Sequence, residues 1–280
     1  LTSREVMYVS DQQHLAELHE LVDVTTRNGG ALDVIEADEC RRRCPALRPA
    51  WVSAGAVDRD AHDMDVPAIV DVLRRMLVEC RGSIDLDHQV TAITARGSGW
   101  ELATTHGVVR ADVIVNAAGA WVDRVAHMAG LAPLGFVPKR RPLAVSAPAP
   151  GVDPGAGFVA HAGEAFYFGR EAGGVLFSPS DASPSEPLDA RPEEIDVARA
   201  IDAVNEATTL GLRSVRSSWA GLRTFSPDGG LVIGPDPGSA GFVWCAGQGG
   251  YGIQTCYAAG VATAALALGR PLPDTLSAAG

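Results

Sequence analysis

Residues 241–255 read GFVWCAGQGGYGIQT, in which a short apolar run enters a glycine-rich turn and continues in helix-forming residues. The run predicts a β-strand, and the residues after the turn predict a helix that extends to about Leu268. Gly247, Gly249 and Gly252 spell G-x-G-x-x-G at the start of that helix. Glycines let a bound group approach the backbone, and the N–H groups of a helix start stabilise negative charge. The turn is therefore a candidate ligand site.

This turn does not predict a complete dinucleotide-binding βαβ unit. Only 25 residues follow Thr255 in the 280-residue chain, and they contain no second strand to complete the unit. We interpret the turn as facing a different anionic or polarisable group, and a simple packing turn is the alternative. A second near-match, at 155–160, follows a proline-rich linker instead of a strand and is discounted.

A second strand-to-turn segment is VIVNAAGAW at 113–121. Its apolar part predicts a short strand over 112–116 that is buried on both faces, as in parallel sheets. The small residues Ala118 and Gly119, ahead of Trp121, leave room for a cofactor close to the backbone. Small residues also permit tight packing of a strand on a helix, so the segment alone is only suggestive.

Arg223 is a candidate anion-binding residue in the stretch WAGLRTFSPDG at 219–229. It follows an apolar strand, and no acidic residue intervenes before Asp228. A guanidinium in a cleft can clamp a carboxylate with two parallel hydrogen bonds. The alternatives are a surface arginine and a structural ion pair with Asp228.

The basic triplet at 139–141 directly follows Pro138. If it lies on a strand, alternation places Lys139 and Arg141 on one face and Arg140 on the other. One of these cations can then reach the same cleft as Arg223, although most such triplets are solvated.

The composition excludes several classes of function. The 34 acidic residues against 23 Lys and Arg give a net charge of −11, which disfavours binding to nucleic acid or to an anionic membrane. No apolar run approaches the about 20 residues of a spanning helix, and no charged-then-apolar leader opens the chain. The sequence predicts a soluble, cytoplasmic protein.

No metal site and no nucleophile are predicted from spacing. The five cysteines are scattered and odd in number, and Cys40 and Cys44 lack a second pair of ligands at metal-binding spacing. The seven histidines are spread through the chain without such spacing. A G-x-S-x-G nucleophile turn is absent from the sequence, so hydrolase chemistry is not indicated.

Helix and strand signals are mixed along the chain, which predicts an α/β class with an α+β lobe. Helices are predicted over 11–28, from Asp65 to Gly82 and over 192–207. In the second of these helices the apolar residues predict one buried face. That face comprises Ile69, Val70, Leu73, Met76 and Leu77.

In their order, VIVNAAGAW, WAGLRTFSPDGGLVIGPD and FVWCAGQGGYGIQT resemble the D-amino-acid oxidase (DAO) superfamily of flavoproteins over essentially the whole chain. Five stretches are most similar to the D-arginine dehydrogenases: PLGFVPKRR, EAFYFGREAG, NEATTLGLR, WAGLRTF and AGQGGYGIQT. The resemblance implies a doubly wound FAD-binding lobe, incomplete because its N-terminal βαβ unit is missing, at 63–137 and 223–280. It implies an interleaved α+β substrate-binding lobe on an antiparallel or mixed sheet at 1–62 and 138–222.

The resemblance also implies roles for individual residues. Arg223 would bind the substrate carboxylate, with help from Arg141 and the Tyr167 hydroxyl, and the Gly250 carbonyl would accept a hydrogen bond from the substrate amine. The helix start after Gly250 would stabilise negative charge on the reduced flavin. The residues implied to contact FAD are Val90, Ala118, Gly119, Trp121, Gly247, Gly249, Gly250, Gly252, Ile253, Gln254 and Thr255.

The reaction implied is hydride transfer from the Cα of a small-molecule amino acid to flavin N5. The imino acid then hydrolyses to a 2-keto acid and ammonia, so the flavin carries the redox chemistry and no metal is required. The electron acceptor stays open among a quinone, a dye-type acceptor and O2.

The sequence departs from this family at its start. Family members begin with a strand–GxGxxG–helix segment that holds the ADP pyrophosphate, and nothing before Leu15 resembles it. With Leu1 as first residue, we expect an N-terminally truncated sequence that binds FAD weakly or not at all. The alternatives are a glycine- or sarcosine-oxidase-like enzyme that uses O2, and a cofactor-free, non-catalytic remnant.

Overall fold

A computed structural model describes residues 1–155, 157–171, 173–180 and 183–277. The helices are α1 Leu15–Arg27, α2 Ala37–Arg43, α3 Val66–Glu79, α4 Val122–Met128, α5 Glu194–Ala207, α6 Gly252–Ala267 and α7 Asp274–Ser277. The strands are β1 Thr2–Ser3, β2 Val6–Ser10, β3 Asp33–Glu36, β4 Ala54–Asp58, β5 His62–Asp63, β6 Val90–Arg96, β7 Gly99–Thr104, β8 Gly107–Ala111, β9 Ile114–Asn116, β10 Val137–Ser146, β11 Phe158–His161, β12 Tyr167–Glu171, β13 Gly174–Ser178, β14 Ser183–Pro184, β15 Val215–Phe225, β16 Val232–Pro235 and β17 Phe242–Ala246. Among these residues, no helix combines the length and apolarity that a membrane span requires.

The chain folds into two compact units, each assembled from separate stretches of sequence. The first comprises Leu1–Asp65, Arg140–Ser183 and Asp189–Gly221, and the second comprises Val66–Lys139, Pro184–Leu188 and Leu222–Gly280. Strands and helices alternate irregularly in both units, which confirms the predicted mixed α/β class.

A nine-stranded mixed sheet forms the framework of the first unit. Its order is β14-β10-β13-β12-β11-β2-β4-β3, and β15 also pairs with β10. Strands β2 and β11 run parallel with Val9 opposite His161, whereas β12 and β13 are antiparallel neighbours with Phe168 opposite Phe177. The mixture of directions matches the sheet expected for the α+β lobe.

The core of the first unit lies against this sheet and is built from alternating strand residues. Phe166, Phe168 and Phe177 are fully buried, and the Phe166 and Phe168 rings stack with centroids 6.0 Å apart. Leu18 of α1 and Val204 of α5 are fully buried as well. Burial of a large apolar side chain stabilises by about 1.5–3 kcal/mol, so these residues dominate the stability of the unit.

The second unit contains two three-stranded sheets, β16-β17-β9 and β6-β7-β8. In the first, β17 pairs antiparallel with β16 and parallel with β9. Trp100, Phe242 and Trp244 fill the core, and the Trp100 indole N–H donates to the Gly241 carbonyl over 3.1 Å. The parallel pair β9–β17 therefore forms the centre of this unit.

Two predictions about burial are wrong, although the elements themselves form. Helix α3 covers the predicted residues, yet none of its residues is buried. In β9, Ile114 and Asn116 are buried but Val115 is 42% exposed, so one face of the strand meets the core and the other does not. Periodicity identifies the apolar face of an element, whereas burial depends on whether another element covers that face.

Phe168→Ala is expected to lower the free energy of unfolding by about 3–5 kcal/mol, because it removes a fully buried ring and leaves a cavity. Urea denaturation followed by tryptophan fluorescence measures the change. Val34→Ala on the exposed strand β3 is the control and should change stability by less than about 0.5 kcal/mol. Equal losses in both variants would contradict this description of the core.

Candidate active site

Two glycine-containing turns leave the same end of the sheet in the second unit. One follows Asn116 at the end of β9, and the other follows Ala246 at the end of β17. The two strands are parallel, with Asn116 opposite Trp244, so their carboxyl ends coincide. In open α/β sheets, ligands bind outside the carboxyl ends of the strands. The sheet thus brings together the two turns that the sequence singled out.

The loop between β17 and α6 requires its glycines. Gly247 and Gly249 have φ angles of +79° and +51°, which side chains rarely adopt. A Cβ atom on Gly249 would lie 2.9 Å from the Phe225 ring, and one on Gly247 would lie 2.8 Å from the Gly230 carbonyl oxygen. The Gly249 N–H donates to the Thr224 carbonyl over 2.9 Å, which ties the loop to the end of β15.

Arg223 lies against this loop. A Cβ atom on Gly250 would come within 2.7 Å of the Arg223 Nη1 atom, so the guanidinium packs directly on the Gly250 backbone. The Arg223 Cζ atom also lies 5.6 Å from the centre of the Phe225 ring. The structure therefore brings Arg223 and Gly250 together, although they stand far apart in the sequence.

A second cation shares the aromatic ring of Phe225. The Lys139 ammonium lies 4.7 Å from the ring centre, so Lys139 and Arg223 both interact with Phe225. Cations are attracted to the face of an aromatic ring, and such contacts hold their side chains in place. Sequence reasoning missed Phe225; its signal is its position two residues after Arg223 on one strand, which places both on the same face.

The turn after Arg223 is held by Asp228. The Asp228 Oδ1 atom accepts from the Ser226 hydroxyl over 2.8 Å and from the Gly230 N–H over 3.0 Å. The hydrogen bond from Ser226 is the main reason that the pKa of Asp228 is lowered, so the carboxylate stays ionised. Asp228 thus stabilises the turn that precedes β16.

In the first unit, Arg141 and Tyr167 form a separate pair. Arg141 is only 8% exposed, its Nη2 atom donates to the Ser180 carbonyl, and its Cζ atom lies 5.7 Å from the Tyr167 ring centre. Arg140 instead forms ion pairs with Glu193 and Asp196. Neighbouring arginines therefore have different partners, as strand alternation predicts.

The remaining predicted residues lie around the two turns or in the core. Gly119 has a φ angle of +55°, and Trp121 is exposed. The buried Asn116 donates from its amide to the Val122 carbonyl over 2.8 Å. Val90 begins β6 and packs against the core of the second unit. Gly252, Ile253, Gln254 and Thr255 form the first turn of α6.

Cys40 and Cys44 are buried within the core of the first unit. Burial raises the pKa of each thiol to about 11, so both are protonated at neutral pH. A protonated, buried thiol is a poor nucleophile. These cysteines contribute to packing.

Comparison with known proteins identifies the relationship of the chain. The sequence model of the DAO family, described as "FAD dependent oxidoreductase", matches residues 2–266. Human mitochondrial dimethylglycine dehydrogenase is 31% identical over 99 residues, a stretch that spans 35% of this chain and 11% of the human protein.

Several solved structures share the fold. L-proline dehydrogenase from P. horikoshii superposes with a TM-score of 0.82 at 16% identity, covering 97% of this chain and 74% of its own. FAD-bound L-alpha-glycerophosphate oxidase from Mycoplasma pneumoniae superposes with a TM-score of 0.86 at 16% identity, and the match covers 95% of this chain and 73% of the oxidase chain. Glycine oxidase from Geobacillus kaustophilus superposes with a TM-score of 0.77 at 20% identity, and the match covers 97% of this chain and 72% of the oxidase chain. At these identities the likeness concerns the fold alone.

Gly249→Ala is expected to destabilise the protein by about 1–3 kcal/mol, because the new methyl group meets the Phe225 ring at a positive φ. Urea denaturation measures the loss. Gly260→Ala is the matched control: its Cβ would enter open space on α6, so this change should stabilise by about 0.5–1 kcal/mol. A neutral effect of Gly249→Ala would contradict the strained geometry of the loop.

Proposed function

The chain belongs to the DAO family of FAD-dependent oxidoreductases, and we propose that it acts in the oxidative deamination of a D-amino acid. In this reaction the substrate loses a hydride from Cα and a proton from its amine, and bound FAD would supply the two-electron acceptor. Water then adds to the imino acid and releases ammonia, which leaves a 2-keto acid. The observation that carries the proposal is the packing of the Arg223 guanidinium on the Gly250 backbone, inside the glycine loop.

The residues around the two turns fit a flavin. Four of the six residues at 247–252 are glycines, which let a planar ring system approach the loop backbone closely. The first N–H groups of α6 have no partner within the helix, and the helix end carries partial positive charge. We assign the ring system to the loop at 247–252 with Ile253, Gln254 and Thr255, and the adenine and pyrophosphate side to Val90, Ala118, Gly119 and Trp121.

When bound, FAD supplies the acceptor for the substrate hydride at its N5 atom. In the second unit, Arg223 binds the substrate carboxylate, and the Gly250 carbonyl accepts a hydrogen bond from the amine. The start of α6 stabilises negative charge that develops beside it. In the first unit, Arg141 and Tyr167 are the residues that we assign to substrate binding.

The electrostatics of these residues support an anionic substrate group. Lys139 and Arg223 flank one aromatic ring, and Arg141 lies over another with little solvent exposure. Hydrogen bonds between a guanidinium and a carboxylate are stronger than neutral ones. We therefore assign the second unit to FAD binding and the first unit to substrate binding. The proposed FAD-binding lobe comprises 63–137 and 223–280, and the proposed substrate-binding lobe comprises 1–62 and 138–222.

An N-methylated glycine is the second candidate substrate. The observation that favours it is the 31% identity with dimethylglycine dehydrogenase over 99 residues. The motif likeness to the D-arginine dehydrogenases favours the first candidate instead. Both substrates carry a carboxylate and an amine, so both use the same contacts to Arg223 and Gly250. Neither candidate substrate specifies which electron acceptor reoxidises the flavin.

The function is tested by loading the chain with FAD and adding amino acids in the absence of oxygen. We expect at least one D-amino acid, and not its L-enantiomer, to bleach the visible absorbance of the flavin. Bleaching only by sarcosine or dimethylglycine would favour the second candidate. If the chain retains FAD but no D- or N-methyl amino acid bleaches it, the proposal is wrong. If the chain does not bind FAD, a non-catalytic remnant is favoured instead.

Arg223→Ala is expected to raise KM about 10- to 150-fold, because a hydrogen bond to a charged group contributes about 1.5–3 kcal/mol. Arg223→Lys should fall between this variant and the wild type, since it keeps the charge but loses the paired geometry. Steady-state kinetics measure both. Arg213→Ala removes an exposed arginine of the first unit and should leave KM unchanged. If KM is unchanged in Arg223→Ala, Arg223 does not bind the substrate.

A further inference from the structure

Three potential metal ligands meet at one edge of the large sheet in the first unit. Asp11 follows the last residue of β2, and His161 is the last residue of β11. These strands pair in parallel, with His161 opposite Val9, so their carboxyl ends lie side by side. His14 stands three residues after Asp11, where α1 begins. The glycine loop of the proposed flavin site belongs to the other unit.

The ligand atoms of the cluster are close to one another. His14 Nδ1 lies 2.7 Å from Asp11 Oδ1, and His161 Nε2 lies 3.9 Å from Asp11 Oδ2. The two imidazole rings are 4.9 Å apart and nearly perpendicular. One ligand atom from each of the three residues can be chosen so that all lie within 4.8 Å of one another.

His161 points into this cluster without a hydrogen-bond partner. The residue is only 3% exposed, and neither of its ring nitrogens is hydrogen-bonded within the described part of the chain. The rings of Trp51 and Phe166 flank it at 5.5 Å and 5.4 Å. Burying both ring nitrogens without a hydrogen-bond partner costs free energy, and a ligand bound to them would offset this cost.

The other two residues are held in position for such a ligand. Asp11 Oδ1 accepts from the N–H groups of Gln13 and His14, which orients the carboxylate and leaves Oδ2 directed toward His161. A Cβ atom on Gly163 would lie 2.3 Å from the His14 ring, so only glycine leaves room for that ring. Hydrogen bonds of this kind, behind the ligands themselves, are typical of metal sites.

We propose that Asp11, His14 and His161 bind a divalent transition-metal ion, with Zn2+ as the ion that their chemistry fits best. Two neutral imidazoles and one carboxylate are a common zinc ligand set. Zinc bonds of about 2.0–2.1 Å separate tetrahedral ligand atoms by about 3.3 Å, so shifts of less than about 1 Å close the site. His14 is partly exposed, which leaves a fourth position accessible to water.

Metal titration of the chelator-treated chain tests the site directly. We expect one equivalent of Co2+ to give the visible absorption of tetrahedral Co2+, and Zn2+ to displace it. X-ray absorption of the zinc form should show two imidazole ligands among nitrogen and oxygen neighbours. Added Zn2+ should also raise the Tm of the chain, because a ligand that binds only the folded state stabilises it.

Variants assign the binding to these residues. Asp11→Asn and His14→Gln should each weaken Zn2+ affinity at least about 100-fold, since loss of an outer-shell partner alone costs 10–100-fold. Both positions are partly exposed, so these variants should fold, and circular dichroism checks that they do. His19→Gln on the exposed face of α1 is the matched control and should leave the affinity unchanged. Absence of saturable binding, or an equal loss in His19→Gln, overturns the proposal.

Discussion

The parallel pairing of β9 with β17 is the constraint on which the proposed active site depends. Each strand ends in a glycine-containing turn, and neither turn alone defines a binding site. The register that sets Asn116 opposite Trp244 brings both turns to one end of the sheet. A slip of one residue would reverse the faces of the strand and expose the buried Asn116. The Ile114 N–H donates to the Gly241 carbonyl over 2.8 Å, which joins the starts of the two strands in that register.

The same geometry recurs in the first unit, where β2 and β11 pair in parallel. Antiparallel neighbours joined by short turns bring together residues that are close in sequence. Parallel neighbours must come from separate stretches of chain, so their aligned carboxyl ends combine residues that no local pattern connects. Asp11 and His161 meet in this way, as do the turns after Asn116 and Ala246.

Local features were predictable from the sequence because they depend on neighbouring residues. The strand β17, the glycine turn and helix α6 follow from fifteen consecutive residues, and α5 begins within two residues of the predicted position. Features that depend on distant residues were not predictable. Periodicity marked the apolar face of α3, but it did not show whether another element covers that face. Strand β4 was not predicted, because its sequence AGAVD consists mainly of small residues with low strand propensity. The histidine cluster has no spacing signal because its members come from different elements.

Local charge and overall charge also give different information about this chain. The net charge of −11 argues against polyanionic partners, yet Lys139 and Arg223 both lie close to one aromatic ring. At physiological ionic strength, exposed charges are screened beyond about 8 Å, so the acidic surface contributes little at the glycine loop. A small anion that reaches the loop responds to the adjacent cations and to the start of α6. The selection for a carboxylate that we propose is therefore a short-range property of the residues around Phe225, and it is compatible with an acidic protein.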